Sequence, residues 1–186
     1  MGSIGRPRVR RILTADLAPA DIATIQEIMT LAFGDDDEER FTDLDWAHSL
    51  GGVHVVADLD GVIIAHAAVV ERELQMAGAP LRTGYVEAVA TTPARQGEGH
   101  GALVMREVNA IIRERFELGA LGTGVLHFYE RLGWVPWQGP TYVRTPGGLE
   151  RTSDEDGAIL VLTTPSSPSL DFRAPLSCEW RPGDVW

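Results

Sequence analysis

Between Leu81 and Phe116 a strand pattern, a turn with three glycines and a long amphipathic helix pattern follow one another. The turn reads Gln96-Gly97-Glu98-Gly99-His100-Gly101, and the helix begins inside it. Glycines carry no Cβ, so backbone N–H groups can be aimed freely, and the first N–H groups of a helix lack intrahelical acceptors. Together they make a pocket for an anionic diphosphate that needs no lysine. No Gly-Lys-Ser/Thr follows the turn, and a dinucleotide fold would carry its glycine fingerprint after the first strand rather than the fourth, so ATP and NAD are disfavoured. Taken alone, the same glycines fit a flexible turn with a helix cap equally well.

Periodicity around this centre predicts an α+β chain. Strands are expected at Val9 to Leu13, Val53 to Leu59, Val62 to Met76, Leu81 to Thr91, Leu118 to Leu121, Trp134 to Val143 and Ala158 to Leu162. Helices are expected from Ala20 to Phe33, from Asp43 to Leu50 with Thr42 as cap, from Gly99 to Leu118, and briefly from His127 to Leu132. Asp60-Gly61 marks a hairpin turn and Ala77-Gly78-Ala79-Pro80 the next reversal. Val104, Val108 and Ile111, widened by Met105 and Ile112, form the buried stripe of the long helix. At 186 residues one domain, residues 1–186, can bury its own core. Residues 1–8 are expected to be a basic flexible arm and 163–175 a Pro/Ser-rich surface connection to the tail 176–186.

The formal net charge is −11, and all 16 basic residues are arginine. Phosphate binding needs a basic footprint, so nucleic acid is an improbable partner and a cation a more natural one. The longest apolar run, Val62 to Val70, is interrupted by His66 and is too short to cross a bilayer. The arginines near the start lead into no apolar stretch, so a secretory signal is not recognisable and the cytoplasm is the expected setting. The lone Cys178 cannot form an internal disulfide and reads as a small, partly buried side chain. The five histidines and one cysteine lack close paired spacing, so no metal site is expected. His54 and His66 read as packed strand residues with one hydrogen bond each rather than as catalysts.

The order strand, Gln/Arg-x-x-Gly-x-Gly/Ala, long helix resembles the acetyl-CoA signature of the GCN5-related N-acetyltransferases (GNAT), with Gln96, Gly99 and Gly101 at its defined positions. The resemblance narrows to the aminoglycoside 2′-N-acetyltransferases at Leu50-Gly51-Gly52-Val53-His54, Ile64-Ala65-His66-Ala67-Ala68 and Gly84-Tyr85-Val86-Glu87-Ala88-Val89. It continues at Leu132-Gly133-Trp134 with Pro136-Trp137 and Gly139-Pro140, and most specifically in the closing Cys178-Glu179-Trp180-Arg181-Pro182-Gly183-Asp184-Val185-Trp186. It implies a GNAT fold: a mixed, mostly antiparallel sheet of about seven strands flanked by about four helices. It also implies acetyl-CoA as co-substrate, a polycationic aminoglycoside acceptor and a homodimer.

Specific residues inherit roles from the resemblance. Coenzyme contacts fall to Val89, Ala90 and Thr91 on the strand and to Gln96, Gly97, Glu98, Gly99, His100 and Gly101 in the turn, with the Val89 N–H facing the thioester carbonyl. Glu87, a carboxylate among apolar strand neighbours, accepts the amine proton through water. Its alternative is a structural pair with an arginine such as Arg82. Tyr129 donates to the departing sulfur, or is a core tyrosine beside Phe128. Substrate ammonium groups would meet Asp45, Glu87, Ala88, Asp154, Glu155, Asp156, Asp184 and the carboxyl group of Trp186. For Asp45 and Asp154 capping is the competing reading, and for Asp35 to Glu39 a solvated loop is the better one. The link from Leu121 to Tyr129 is about two residues shorter than the family pattern. Two other functions share these features: acetylation of a polyamine, peptide or protein amine, and sugar binding without turnover.

Overall fold

The computed structural model describes residues 5–34 and 40–186. The Asp35 to Glu39 run and residues 1–4 of the expected arm lie outside the described residues, and Arg8, the arm's last residue, opens a strand. Ten strands and four α-helices occur among the described residues, which divide into two compact units. One comprises 1–70 and 86–108, the other 71–85 and 109–186.

In the first unit, β1 (Arg8–Leu13) pairs antiparallel with β2 (Val53–Leu59), and β2 with the first part of β3 (Val62–Met76). The β2–β3 turn is Asp60-Gly61, both with positive φ (54° and 85°), the backbone demanded by a tight two-residue hairpin. Helix α1 (Pro19–Phe33) starts with proline at its first position, where the missing N–H costs nothing, and ends at Gly34. It buries Ile25, Ile28 and Met29 against Ile12, Leu17, Val56, Ile63 and Ala90. Helix α2 (Asp43–His48) is shorter than the pattern suggests, because Ser49 and Leu50 bond to Trp46 and Ala47 carbonyls and turn the chain away. The unit also takes the end of β4 (Ala79–Thr91) and the start of α3 (His100–Arg115).

The second unit carries a sheet in the order β6-β9-β5-β4-β3-β10-β7-β8. Here β5 is Leu118–Gly122, β6 Val135–Pro136, β7 Thr141–Thr145, β8 Gly148–Arg151, β9 Ile159–Thr163 and β10 Leu176–Glu179. β4 runs parallel to β5 from Thr83↔Leu118 to Tyr85↔Ala120, and β10 runs parallel to β7. The reversal before β4 needs only Ala77-Gly78 (φ 49° and 85°), so Ala79 and Pro80 already belong to the strand.

Three further features depart from the sequence pattern. The single strand expected from Trp134 to Val143 is two, because the Gln138 and Gly139 N–H groups both donate to the Phe172 carbonyl at 2.9 Å and Pro140 has no N–H. A side chain at Gly139 would fall 2.0 Å from the Ala174 carbonyl oxygen, so only glycine permits this crossing. β8 and β10 were not expected, and together with the split of Trp134 to Val143 they raise the strand number among the described residues from about seven to ten. Helix α3 stops at Arg115, leaving Phe116 and Glu117 to lead into β5. Its expected core stripe, Val104 to Ile112, is fully buried.

Candidate active site

In the first unit β4 leaves regular strand geometry at Ala88, whose φ of +51° is uncommon for a residue with a Cβ. Glu87, Ala88 and Val89 are half-buried there, whereas the preceding Thr83 to Val86 are buried. The Ala88 carbonyl accepts a hydrogen bond from His66 Nδ1 at 2.7 Å, and His66 Nε2 lies 2.9 Å from His54 Nδ1. His54 Nε2 in turn lies 2.9 Å from Thr14 Oγ1. Both rings are fully buried, with Trp46 5.8 Å from His54 and 6.5 Å from His66. Burial lowers the pKa of His54 to about 4. Burial, with His54 adding repulsion, lowers that of His66 to about 3, so both rings are neutral at ordinary pH. Each histidine thus makes two ring hydrogen bonds rather than the single one expected.

After β4 the chain makes a 3₁₀ turn at Pro93–Arg95 and then the glycine turn. Gln96 Nε2 donates back to the Thr91 carbonyl at 3.2 Å, tying the turn to the strand end. Gly97 and Gly99 have φ of 81° and 87°, and a Cβ built on either meets nothing within 4 Å. Backbone conformation, not crowding, therefore calls for glycine, and the space beside both residues is open. The first bond of the α3 ladder runs from Leu103 N to the Gly99 carbonyl at 3.0 Å, so the N–H groups just before it have no intrahelical acceptor. Glu98, the one acid in the turn, is met by His100 Nε2 at 3.0 Å and Arg95 Nη1 at 3.4 Å. The His100 hydrogen bond holds its carboxyl below the usual range. Open space, directed donors and a neutralised acid fit the diphosphate of coenzyme A.

Asp45 forms a capping box with Thr42: its carboxylate accepts from the Thr42 N–H and hydroxyl, both at 2.7 Å, while Thr42 Oγ1 accepts from the Asp45 N–H. The capping reading therefore holds, and it fixes where this carboxylate stands.

In the second unit Tyr129 sits on the short helix α4 (Leu126–Glu130), with only 8% of its surface exposed. Its ring meets Phe128 and Trp134 edge-on at 4.8 and 6.5 Å. The turn after α4 is pinned by Asn109, which donates to the Leu132 carbonyl and accepts from the Trp134 indole, both at 2.9 Å. Burial pushes the Tyr129 phenol up to about 12, so it holds its proton. Arg82 donates to Glu71 and to the Arg115 carbonyl.

Glu155 stands near Asp154 and Asp184: burial first, then the charges of Asp184 and Asp154, raise its pKa. Such mutual repulsion is relieved by a bound cation. Asp156 differs from its neighbours, since Arg151 and the Thr141 N–H and hydroxyl occupy its oxygens and hold its carboxyl down at about 2.

The tail is clamped by groups the sequence did not single out. Arg72, 4% exposed, donates through Nε to Glu179 Oε1 at 3.0 Å and through Nη2 to the Val185 carbonyl at 2.7 Å. Its guanidinium lies 4.6 Å from the Tyr85 ring centre, with that of Arg181 5.6 Å from the same ring. Arg181 also donates to the carbonyls of Asp184 and Trp186 at 2.7 and 2.9 Å. Trp186 is 3% exposed; its indole donates to Thr152 Oγ1 at 2.9 Å, and its backbone N–H donates to Asp184 Oδ1 at 3.0 Å. An arginine amid the alternating apolar residues of β3 was the available signal for the clamp.

Among the described residues no group of His, Cys, Asp and Glu could hold a metal ion. Among the same residues no helix is long and apolar enough to cross a membrane.

Residues 15–136 match the family model of the acetyltransferase (GNAT) domain. The chain is 40% identical over 181 residues to an aminoglycoside 2′-N-acetyltransferase from Mycolicibacterium fortuitum, covering 95% of this chain and 91% of that protein. Two solved structures are similar in fold. A GNAT family N-acetyltransferase (YhbS) from Escherichia coli, in complex with CoA, aligns at TM-score 0.64 and 18% identity over 96% of this chain and 92% of that one. A GNAT family acetyltransferase from Brucella melitensis, in complex with acetyl-CoA, aligns at TM-score 0.61 and 22% identity over 92% and 94%. The match over residues 15–136 and the 40% identity across 95% of the chain show that the chain belongs to the GNAT acetyltransferase family.

Proposed function

We propose that the protein transfers the acetyl group of acetyl-CoA to the 2′-amine of aminoglycosides. The observation that carries this is the 40% identity, across 95% of the chain, to the Mycolicibacterium fortuitum protein of that name. The clustered acids of the second unit agree with it: burial first, and then the charges of Asp184 and Asp154, raise the Glu155 pKa, and a polycationic sugar would relieve the repulsive part.

Acetyl-CoA supplies an activated thioester; the chain supplies positioning, an oxyanion donor and proton management. The glycine turn, Gln96 to Gly101, holds the diphosphate, and Val89, Ala90 and Thr91 offer main-chain hydrogen bonds to the pantetheine arm. The Val89 N–H meets the carbonyl oxygen as negative charge develops when the amine attacks the carbonyl carbon. Glu87 takes the proton released by the amine, through water, as the C–N bond forms. Tyr129 donates a hydrogen bond to sulfur as the C–S bond breaks. With its phenol held near 12 against about 8.5 for an ordinary thiol, it supports the thiolate without surrendering its proton outright. Asp45, Ala88, Asp154, Glu155, Asp184 and Trp186 receive the sugar, while Asp156 braces the loop of Asp154 and Glu155.

The same reading takes 1–186 as one catalytic domain, working in the cytoplasm as a homodimer and conferring aminoglycoside resistance. The test is an acceptor panel with purified protein and acetyl-CoA, following thiol release and locating the new amide by NMR. A 2′-N-acetyl product supports the reading; transfer to another amine, or to peptides and polyamines only, refutes it.

A further inference from the structure

We propose that His54 and His66 are positioning residues for acetyl transfer. They end a one-way hydrogen-bond chain on the Ala88 carbonyl, which fixes the Ala88–Val89 peptide and makes the Val89 N–H a stronger donor. The catalytic half of this inference rests on the proposed role of that N–H.

The direction of the chain follows from its last acceptor. A carbonyl oxygen only accepts, so the 2.7 Å contact with Ala88 requires the proton on His66 Nδ1. A neutral imidazole then offers Nε2 as acceptor, and His54, 2.9 Å away, must donate from Nδ1. His54 Nε2 accepts in its turn, so the Thr14 hydroxyl donates to it at 2.9 Å. That hydroxyl accepts from the Gly51 N–H at 3.0 Å, and its one proton is divided between His54 Nε2 and the Gly52 carbonyl, the latter the longer contact at 3.3 Å. Every ring proton is thereby assigned from one end, and both rings carry theirs on Nδ1. Charging His66 would put its Nε2–H face to face with the Nδ1–H of His54, which the low pKa of His66 already disfavours.

Nothing in the packing asks for this chain. Both rings are buried on neighbouring strands, where Val55, Val56, Ala65 and Ala67 are fully enclosed, and apolar side chains would fill the space without desolvating four ring nitrogens. What the chain reaches is the one β4 residue with a left-handed backbone, at the peptide whose N–H belongs to Val89. A hydrogen bond accepted by an amide carbonyl polarises the whole peptide unit, and aligned bonds reinforce one another. It also holds the bulge against relaxing to regular strand, which would swing the N–H away.

Imidazole nitrogen NMR of the unmodified protein tests the chain without reference to activity: both histidines should be neutral with the proton on Nδ1, and a proton on His66 Nε2 overturns it. His66→Phe, which fills the space without a donor, should lower kcat about tenfold while KM for acetyl-CoA changes less than about twofold. His66→Asn, whose amide can still donate to Ala88, should recover part of the loss, as general packing damage would not. The Val89 amide proton and Ala88 carbonyl carbon resonances should both move in His66→Phe. A folded His66→Phe protein with parental kcat and an unmoved Val89 amide refutes the positioning role. The oxyanion reading fails separately, and takes the catalytic half with it, should acetyl-CoA leave the Val89 amide resonance of the unmodified protein where it was.

Discussion

Replacing Arg72 with leucine should loosen the tail before it affects anything else. The substitution removes the bonds to Glu179 Oε1 at 3.0 Å, the Glu179 carbonyl at 3.2 Å and the Val185 carbonyl at 2.7 Å, together with the stacking on Tyr85. Hydrogen bonds to a charged group are worth about 1.5–3 kcal/mol each, and breaking a buried ion pair costs about 3–5 kcal/mol. The Glu179 side chain is 42% exposed and rehydrates once released, so the lower end applies, about 3 kcal/mol. For a chain of this size that is a Tm lowered by about 6–12 °C. If the tail receives the sugar, aminoglycoside KM should rise about tenfold or more while acetyl-CoA affinity, which belongs to the glycine turn, is kept. Differential scanning fluorimetry and steady-state kinetics measure both. An unchanged Tm would show that the clamp holds nothing, and an equal loss of acetyl-CoA affinity would show that the damage is global.

Tyr129→Phe should lower kcat about 10- to 100-fold with little change in either KM; since burial holds the phenol near 12, the parent's pH–rate profile should show no alkaline limb from it below about pH 11. A falling limb near pH 10 would mean the ring is open to water. His54 and His66, at about 4 and about 3 in the fold against 6.5 when unfolded, leave the unfolded chain binding more protons below pH 6.5. Stability should therefore fall as the pH is lowered, by about 2 kcal/mol per histidine between pH 6.5 and 5, as read by urea unfolding. A His54→Asn, His66→Asn double variant with the same slope would refute the assignment. Cys178 is fully enclosed, and burial foremost pushes its thiol up to about 11, so iodoacetamide should label it only after unfolding. Labelling of the native protein at the denatured rate would contradict that packing.

What the sequence revealed was local. The Asp60-Gly61 hairpin, the Thr42 cap and the glycine turn each announce themselves within a few residues, and each stands where the pattern put it. Trp134 to Val143 looked like one strand because its break comes from Phe172, more than thirty residues on, whose carbonyl takes two N–H groups out of the ladder. β8, with every side chain exposed, has no alternating pattern to betray it. At the site, Tyr129 and the acids were legible as residue types. The histidine chain was not, since it depends on the β2–β3 register and on a threonine from a third segment. Asp156 shows the opposite limit: among adjacent acids, only the position of Arg151 tells which one is spent on structure.

β10 has a consequence for how the chain reaches this state. It enters the sheet between β3 and β7, and Leu176 must find Met76 across a hundred intervening positions. So long a loop closes late, and until it does two strands present open edges, which invite pairing between molecules. Refolding should therefore be limited by the arrival of residues 176–179, and chains shortened before them should clump, because a strand far in sequence from its partner is seated in the interior of the sheet.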